Sequence, residues 1–362
     1  MKLRKIAAVL LCFTAVTAQN LKTFSETYGP FDSRYNDEFQ YSESATTSEN
    51  ALQLTPALTQ APGVYVTSPL PNQTGRVMLR KRFKLWEQGY KTSDRLASFN
   101  SSFFFNIYAL SSNNRGEGLA FVLAPDTSIP SNSSGQYLGL TNAETDGFPI
   151  NRFVAIEFDT VKQDFDPDAN HVGLNINGIT STVNASLTPL GFELALSQNA
   201  TNLFNVWVQY DGFDKVIEVY IAPQAGINGE TPSRPDTPVL NSTLDLREIL
   251  DQHSYFGFSA STGSGAQRNS VFRWNLTVDS YLDVDAPALA PGPAPALARE
   301  DKHPPWKKIL VGVGVPLLVI GAAVTGYYYL CKKRSMAQSK SNVLLGALKR
   351  LPGTRGSSNS KI

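Results

Sequence analysis

The chain has 362 residues, with 32 Lys and Arg against 31 Asp and Glu, and this near-neutral balance argues against nucleic acid as a partner. Hydrophobic residues make up 42% of the chain and charged residues 17%, a composition that allows a large folded core. The two cysteines, Cys12 and Cys331, lie in apolar segments near the ends, so the region between them must be stabilised by packing instead of disulfides.

Residues 1–18, MKLRKIAAVLLCFTAVTA, have the features of a secretory signal peptide. A basic start is followed by an apolar run, and small residues precede a cleavage point near Ala18. We therefore expect this segment to be removed and the following residues to be exported.

Residues 19–282 show the alternating and β-branched patterns of short strands, separated by Asn, Gly, Ser, Asp and Pro. The clearest runs are SFFFNIY (102–108), GLAFVL (118–123), FVAIEFD (153–159), HVGLNIN (171–177), FNVWVQY (204–210), KVIEVYI (215–221), YFGFSAS (255–261) and VFRWNLTV (271–278). Only STLDLREILDQ (242–252) predicts a short helical turn, or else an edge strand. Trp207 and Trp274 occupy strand runs and are predicted core residues. Many strands without interleaved helices predict an antiparallel sandwich or barrel.

The segment EFDTVKQDFDPDANH, from Glu157 to His171, concentrates carboxylates beside one of three histidines. Because side chains alternate along a strand, Glu157 and Asp159 share one face, and the following loop brings Asp166 and His171 back towards them. An EF-hand is excluded, because its sixth and twelfth loop positions would be Ala169 and Asn175. A solvated acidic loop and a metal site both remain open.

A glycosidase with paired carboxylates is disfavoured by a single position. The laminarinase-like pattern Glu-x-Asp-x-x-Glu would need Glu where this chain has Lys162. No second acid/base candidate is evident, so we expect a protein that is not an enzyme.

Several segments, taken in order along the chain, resemble the legume-type (L-type) lectin domain of plants. They are GRVMLRKRFKLWE (75–87), ASFNSSFFFNIY (97–108), GLAFVLAP, FVAIEFDT, DPDANHVGLNIN, NVWVQYDG and YFGFSASTG. The resemblance implies an all-β, concanavalin-like jelly-roll sandwich with a flat back sheet, a curved front sheet and a sugar site formed by loops.

The resemblance also implies a paired Ca²⁺ and Mn²⁺ site. The positions that match the transition-metal ligands are Glu157, Asp159, Asp166 and His171. Those that match the calcium ligands are Asp159, Asp166, Gln163 and the backbone carbonyl of Val161.

The sugar-binding positions implied by the resemblance depart from the family pattern. Glu117 and Gln163 stand where the family has Asp and Asn, Val161 replaces an aromatic residue, and Gly135 alone is unchanged. Each longer side chain moves its polar group by about 1.5 Å. We therefore expect weak or altered sugar binding.

Seven Asn-x-Ser/Thr sequons agree with passage through the secretory pathway. They begin at Asn72, Asn100, Asn132, Asn184, Asn199, Asn241 and Asn275.

The C-terminal part predicts a membrane anchor. Residues 283–306 contain the Pro/Ala-rich stretch of an extended stalk, and residues 307–331 include 23 consecutive uncharged residues that are long enough to span a bilayer. Residues 332–362 carry eight Lys or Arg and no Asp or Glu, which predicts a cytoplasmic tail and a type I, single-pass plasma-membrane protein.

This arrangement resembles a plant L-type lectin receptor kinase, and LKRLPGT (348–354) is similar to the stretch before its kinase domain. The remaining RGSSNSKI carries no kinase motif, so we expect a receptor-like protein without a kinase. The first hypothesis is a membrane lectin that binds glycans or cell-wall oligosaccharides. The alternative is an interaction or decoy protein that pairs with lectin receptor kinases or with itself, or that binds a peptide or an apolar ligand.

Overall fold

The computed structural model describes residues 21–61, 64–87, 96–109, 114–197 and 203–281. The predicted signal peptide, stalk, membrane helix and tail lie outside these residues. Within the described ranges, no helix is both long and apolar enough to cross a membrane.

The described residues form nineteen strands and five short 3₁₀ helices. The strands are β1 (Leu21–Tyr28), β2 (Phe39–Glu43), β3 (Thr46–Ser48), β4 (Ala51–Thr55), β5 (Ala57–Ala61), β6 (Val64–Pro69), β7 (Thr74–Leu79), β8 (Phe83–Lys84), β9 (Phe99–Ala109), β10 (Gly118–Ala124), β11 (Val154–Asp159), β12 (His171–Ile176), β13 (Val183–Ser186), β14 (Ala195–Ser197), β15 (Leu203–Asp211), β16 (Val216–Gln224), β17 (Leu240–Thr243), β18 (His253–Ser261) and β19 (Gln267–Tyr281). The 3₁₀ helices are Ser33–Tyr35, Gly135–Tyr137, Pro149–Asn151, Thr188–Leu190 and Leu246–Glu248.

All eight strand runs predicted from the sequence are strands in the structure, with ends that differ by a few residues. The segment 242–252 holds both predicted alternatives, since β17 ends at Thr243 and a 3₁₀ turn follows at Leu246–Glu248. The Asp245 side chain caps this turn by accepting from the Arg247 N–H.

Two antiparallel sheets build the sandwich. The front sheet has the strand order β2-β7-β18-β10-β11-β12-β13. The back sheet has the order β1-β19-β9-β15-β16-β17, and β14 adds a short parallel pairing to β9. This arrangement confirms the predicted all-β jelly-roll fold.

Aromatic rings fill the space between the two sheets. Phe103 on the back sheet lies 5.7 Å from Phe121 and 5.0 Å from Phe258 on the front sheet, measured between ring centroids. Trp274 lies 5.0 Å from Phe258, and its Nε1 donates to Ser101 Oγ at 2.9 Å. Trp274 is therefore a core residue, as predicted, whereas Trp207 is only half-buried.

The front sheet is also buried on its second face. A long loop, residues 125–153, places Leu138 and Leu140 in a second apolar cluster with Met78, Ala120 and Val122. This double burial explains why β10 reads as a continuous apolar run, GLAFVLA, with every residue buried. Side chains on the second face of β11 consequently meet loops instead of open solvent.

Trp274 provides the test of this core. Trp274→Ala should lower the free energy of unfolding by about 3–5 kcal/mol, because it opens a cavity and leaves the Ser101 hydroxyl unpaired. Phe213→Ala, at a side chain that is 74% exposed, is the matched control and should change stability little. Equal losses for the two variants in urea unfolding would contradict the assignment.

Candidate functional site

The acidic segment forms a connection between β11 and β12 on the second face of the front sheet. The register pairs Asp159 with His171 and Glu157 with Gly173, so the loop 160–170 leaves and re-enters the sheet at neighbouring positions. Glu157, Asp166 and His171 are all buried, and one ligand atom from each lies within 4.8 Å of the others. The structure thus brings together three of the predicted metal-ligand positions.

Gly173 makes room for the Glu157 carboxylate. A Cβ at this position would lie 2.4 Å from Glu157 Oε1 and 1.9 Å from Ser181 Oγ. Any larger residue would therefore push the carboxylate out of place.

Two neutral side chains fix Glu157. Asn175 Nδ2 donates to Glu157 Oε2 at 2.6 Å, and Ser181 Oγ donates to Oε1. The sequence reasoning missed both residues. The two-residue period could have identified Asn175, because it places this residue on the same face as His171. No local pattern points to Ser181.

His171 has the arrangement expected of a metal-binding imidazole. Its Nδ1 lies 2.9 Å from the carbonyl oxygen of Asp168, which can only accept, so Nδ1 carries the proton. The buried Nε2 has no hydrogen-bond partner and lies 3.4 Å from Glu157 Oε1 and 3.8 Å from Asp166 Oδ1. A lone pair directed towards two carboxylates, with the second ring nitrogen held by a carbonyl, fits a divalent metal ion.

The loop between the strands is ordered by its own carboxylates. Asp159 Oδ1 accepts from the Val161 N–H at 2.7 Å, and Asp166 Oδ2 accepts from the Gln163 N–H at 2.8 Å. These bonds leave the second oxygen of each carboxylate for a further ligand.

Electrostatics in this corner favour an added cation or proton. Burial raises the pKa of Asp159 well above its usual value, and the charges of Glu157 and Asp166 raise it further. Burial likewise raises the pKa of Asp166. Burial alone would lower the pKa of His171, but the Glu157 and Asp166 carboxylates raise it on balance.

Glu117 and Gln163 meet beside the acidic cluster. Gln163 Nε2 donates to Glu117 Oε2 at 2.8 Å, and the Glu117 side chain is only 8% exposed. Burial raises the pKa of Glu117, an effect that the bond from Gln163 partly offsets. A Cβ on Gly135 would lie 4.0 Å from Glu117 Oε1, so the structure brings three of the four predicted sugar positions together. The fourth position, Val161, lies in the loop 160–170 with Gln163 and is partly exposed.

Gly263 completes the surroundings of Glu117. A Cβ at this position would lie 2.1 Å from Glu117 Oε1, and the backbone has a φ of +34°. Sequence reasoning did not single out this residue. Gly263 follows β18 in the chain, and it comes close to Glu117 because β18 pairs with β10.

Arg76 fixes the loop that carries Gly135. The guanidinium is buried on the second face of β7 and donates to the carbonyl oxygens of Ser128 and Gly139. Burial lowers the pKa of Arg76 to about 10, so the side chain stays charged at neutral pH. These two bonds hold both ends of the segment 128–139. No sequence motif predicts this role of Arg76.

The comparisons with known proteins agree with this architecture. The model of the legume lectin domain family matches residues 23–288. The chain is 31% identical over 274 residues to the L-type lectin-domain containing receptor kinase IV.1 of Arabidopsis thaliana, covering 74% of this chain and 38% of the kinase. This chain therefore spans well under half the length of that relative.

Solved structures give the same result. The metal-free form of lectin I-B4 from Griffonia simplicifolia has a TM-score of 0.57 and 27% identity, covering 70% of this chain and 99% of that lectin. Peanut lectin with a nine-residue peptide has a TM-score of 0.56 and 25% identity, covering 71% and 97%.

The raised pKa values predict how the metal-free protein responds to pH. An acid whose pKa is higher in the folded than in the unfolded chain, about 3.9 for Asp, stabilises the fold at low pH and loses that effect as the pH rises. His171 is shifted in the same direction as Asp159. In chelator, the unfolding temperature should therefore fall from mildly acidic to neutral pH. Ca²⁺ with Mn²⁺ should reverse the fall, because metal binding needs deprotonated ligands.

Calorimetry of matched variants checks this prediction. Asp159→Asn should flatten the profile in chelator, whereas Asp37→Asn, at an exposed carboxylate, should leave it unchanged. Superimposable profiles with chelator and with metal would contradict it.

Proposed function

The chain belongs to the legume lectin domain family, and from this membership we propose that residues 19–282 bind a glycan or a cell-wall oligosaccharide at the site around Glu117. The observation that carries the proposal is the convergence of Glu117, Gln163 and Gly135 beside the His171 cluster. A carboxylate, a carboxamide and a partly buried glycine backbone are groups that bind sugar hydroxyls by hydrogen bonds.

Metal ions would brace this site. Mn²⁺ suits Glu157, Asp159, Asp166 and His171, a set that includes the buried and unpartnered Nε2. Ca²⁺ suits Asp159, Asp166, Gln163 and the Val161 carbonyl, because this set offers only oxygen atoms. Bound cations would offset the buried negative charge and hold the loop 160–170 rigid, which lowers the entropic cost of ligand binding.

Gln163 is able to serve both partners. Its Nε2 donates to Glu117, which leaves the amide oxygen as an acceptor for a cation. The longer side chain is therefore compatible with the predicted calcium site.

The same contact supports weak or altered sugar binding. Glu117 Oε2 already accepts from Gln163 Nε2, so a ligand hydroxyl that donates to this oxygen competes with the Gln163 amide, and Oε1 is the acceptor that remains. A millimolar sugar site has only about 4 kcal/mol in total, and one hydrogen bond to a charged group contributes about 1.5–3 kcal/mol. Losing one net bond therefore removes much of the affinity.

The cellular setting follows from the segments outside the described residues. A signal peptide at 1–18, a stalk at 283–306, a membrane helix at 307–331 and a basic tail at 332–362 would display the lectin domain outside the plasma membrane. The relationship to a receptor kinase supports this receptor-like arrangement.

A second candidate function is interaction with a protein. The bond from Gln163 to Glu117, which competes with a sugar hydroxyl, favours it, and peanut lectin, a structural relative, has been solved with a peptide. In this case the domain would bind a peptide or an apolar ligand, pair with lectin receptor kinases, or self-associate.

Calorimetric titration with plant cell-wall oligosaccharides separates the two candidates. Heat that appears with Ca²⁺ and Mn²⁺ and disappears in chelator is the expected result for a lectin. Glu117→Asp combined with Gln163→Asn should increase affinity about tenfold, because the shorter side chains release one hydrogen bond to the ligand.

The matched control is Asp37→Asn, an exposed carboxylate outside this corner, which should not alter the titration. If neither the folded, metal-loaded protein nor the double variant gives a heat of binding, the carbohydrate proposal is overturned and the interaction protein is favoured.

A further inference from the structure

Six of the seven sequon asparagines lie in the described residues, and all six are exposed. Asn199 lies outside the described residues. Asn72 and Asn132 share a second feature: both have a positive φ, 54° and 55°, in tight turns. Asn adopts this conformation at less cost than most residues.

Asn72 is linked to the surroundings of Glu117 through Gly263. Its N–H donates to the carbonyl oxygen of Gly263 at 2.6 Å. Gly263 in turn packs against the Glu117 carboxylate, where a Cβ would lie 2.1 Å from Oε1. A single residue therefore separates Asn72 from the centre of the proposed site.

Asn132 belongs to a second loop, whose Gly135 lies near the same carboxylate. It precedes Gly135 by three residues, and a Cβ on Gly135 would lie 3.8 Å from the Gly263 Cα and 4.0 Å from Glu117 Oε1. The loop is anchored on both sides of Asn132, because Asn142 Nδ2 donates to the Ser131 carbonyl at 3.0 Å and the Gly139 N–H donates to the Ser133 carbonyl at 2.8 Å. Asn132 therefore has a fixed place beside the site.

The other exposed sequons lie elsewhere. Asn100, Asn241 and Asn275 belong to β9, β17 and β19 of the back sheet, and Asn184 belongs to β13 at the end of the front-sheet order. Among the described sequons, Asn72 and Asn132 are the two that these contacts connect to Glu117, Asn72 through Gly263 and Asn132 through the loop that carries Gly135.

We propose that N-glycans on Asn72 and Asn132 flank the entrance to the Glu117 site and restrict it to small oligosaccharides and chain ends. An N-glycan is a bulky, hydrated group that cannot enter the folded protein, so two of them narrow the approach to the surface between them. The inner part of a long polysaccharide and the surface of a large protein are then excluded. This inference rests on the proposed function only in taking Glu117 as the place where the ligand enters.

The first measurement is occupancy. Glycopeptide mass spectrometry of the full-length chain from a eukaryotic secretory host should find glycans at both Asn72 and Asn132. An unmodified Asn72 or Asn132 overturns the proposal.

The second measurement is access, and it does not depend on sugar binding. Cys12 and Cys331 are the chain's two cysteines, so with both replaced by Ala a single reporter can be introduced at the exposed Lys162 as Lys162→Cys. A polyethylene-glycol maleimide should react with it about tenfold more slowly, relative to N-ethylmaleimide, than with a control cysteine introduced as Asp37→Cys. Asp37 adjoins Glu38, whose carbonyl accepts from the Arg80 N–H beyond the far end of β7, opposite Asn72.

Removing the two glycans should abolish this size dependence. Asn72→Gln with Asn132→Gln should restore labelling by the large reagent, whereas Asn241→Gln with Asn275→Gln should not. Native treatment with peptide N-glycosidase F gives the same test without a substitution, in case the double variant fails to fold. Equal access in all forms overturns the proposal.

Binding measurements then separate this inference from the proposed function. The double variant should bind long cell-wall polysaccharide about tenfold more tightly and short oligosaccharides of the same composition with unchanged affinity. If no form binds any carbohydrate while access remains size-dependent, the proposed function fails and the glycan restriction stands.

Discussion

Buried negative charge is the constraint around which the front sheet is organised. Glu157, Asp159, Asp166 and Glu117 are all buried in one corner of the sandwich. Within the described part of the chain, His171 is the one buried cationic candidate in contact with this group. Asn175 and Ser181 relieve part of the cost by donating hydrogen bonds to Glu157, and Gly173 leaves room for its carboxylate. The arrangement costs free energy in the protein alone, and it becomes favourable once a cation or protons offset the repulsion.

The sheets themselves supply the stability that tolerates this cost. Phe103, Phe121, Phe258 and Trp274 interlock between the two layers, so the strands keep their register whatever the state of the acidic corner. That register sends even-numbered side chains of β11 such as Phe158 into the core and odd-numbered ones towards the loops. The site is thus a consequence of strand alternation on a rigid support, and no disulfide contributes to it among the described residues, which contain no cysteine.

The sequence predicts a large part of this structure, because alternation and residue type are local properties. The eight strand runs and the shared face of Glu157 and Asp159 follow from the two-residue period, and the short loop between the strands predicts the return of Asp166 and His171. Contacts between distant segments do not follow from it. Examples are the hydrogen bonds from Arg76 to the carbonyls of Ser128 and Gly139, and the packing of Gly263 against Glu117. The strand β1 was also missed, because LKTFSETY is mostly exposed and its polar composition hides its pairing with β19. The meeting of Glu117 and Gln163 needed both loop conformations, although each substitution was visible in the sequence.

The loop 125–153 divides into two parts that differ in how well they tolerate substitution. Its base is fixed, since Leu138, Leu140 and Phe153 are buried against the front sheet. At its tip, Ser131, Asn132, Ser134 and Gln136 are exposed, whereas Ser133 is buried and the Gly135 carbonyl accepts from the Ser261 hydroxyl of β18. Exposed substitutions usually change stability by less than about 0.5 kcal/mol, so these four exposed residues tolerate substitution while the base preserves their placement. The surface that this tip presents beside Glu117 can therefore change by single substitutions without loss of the fold.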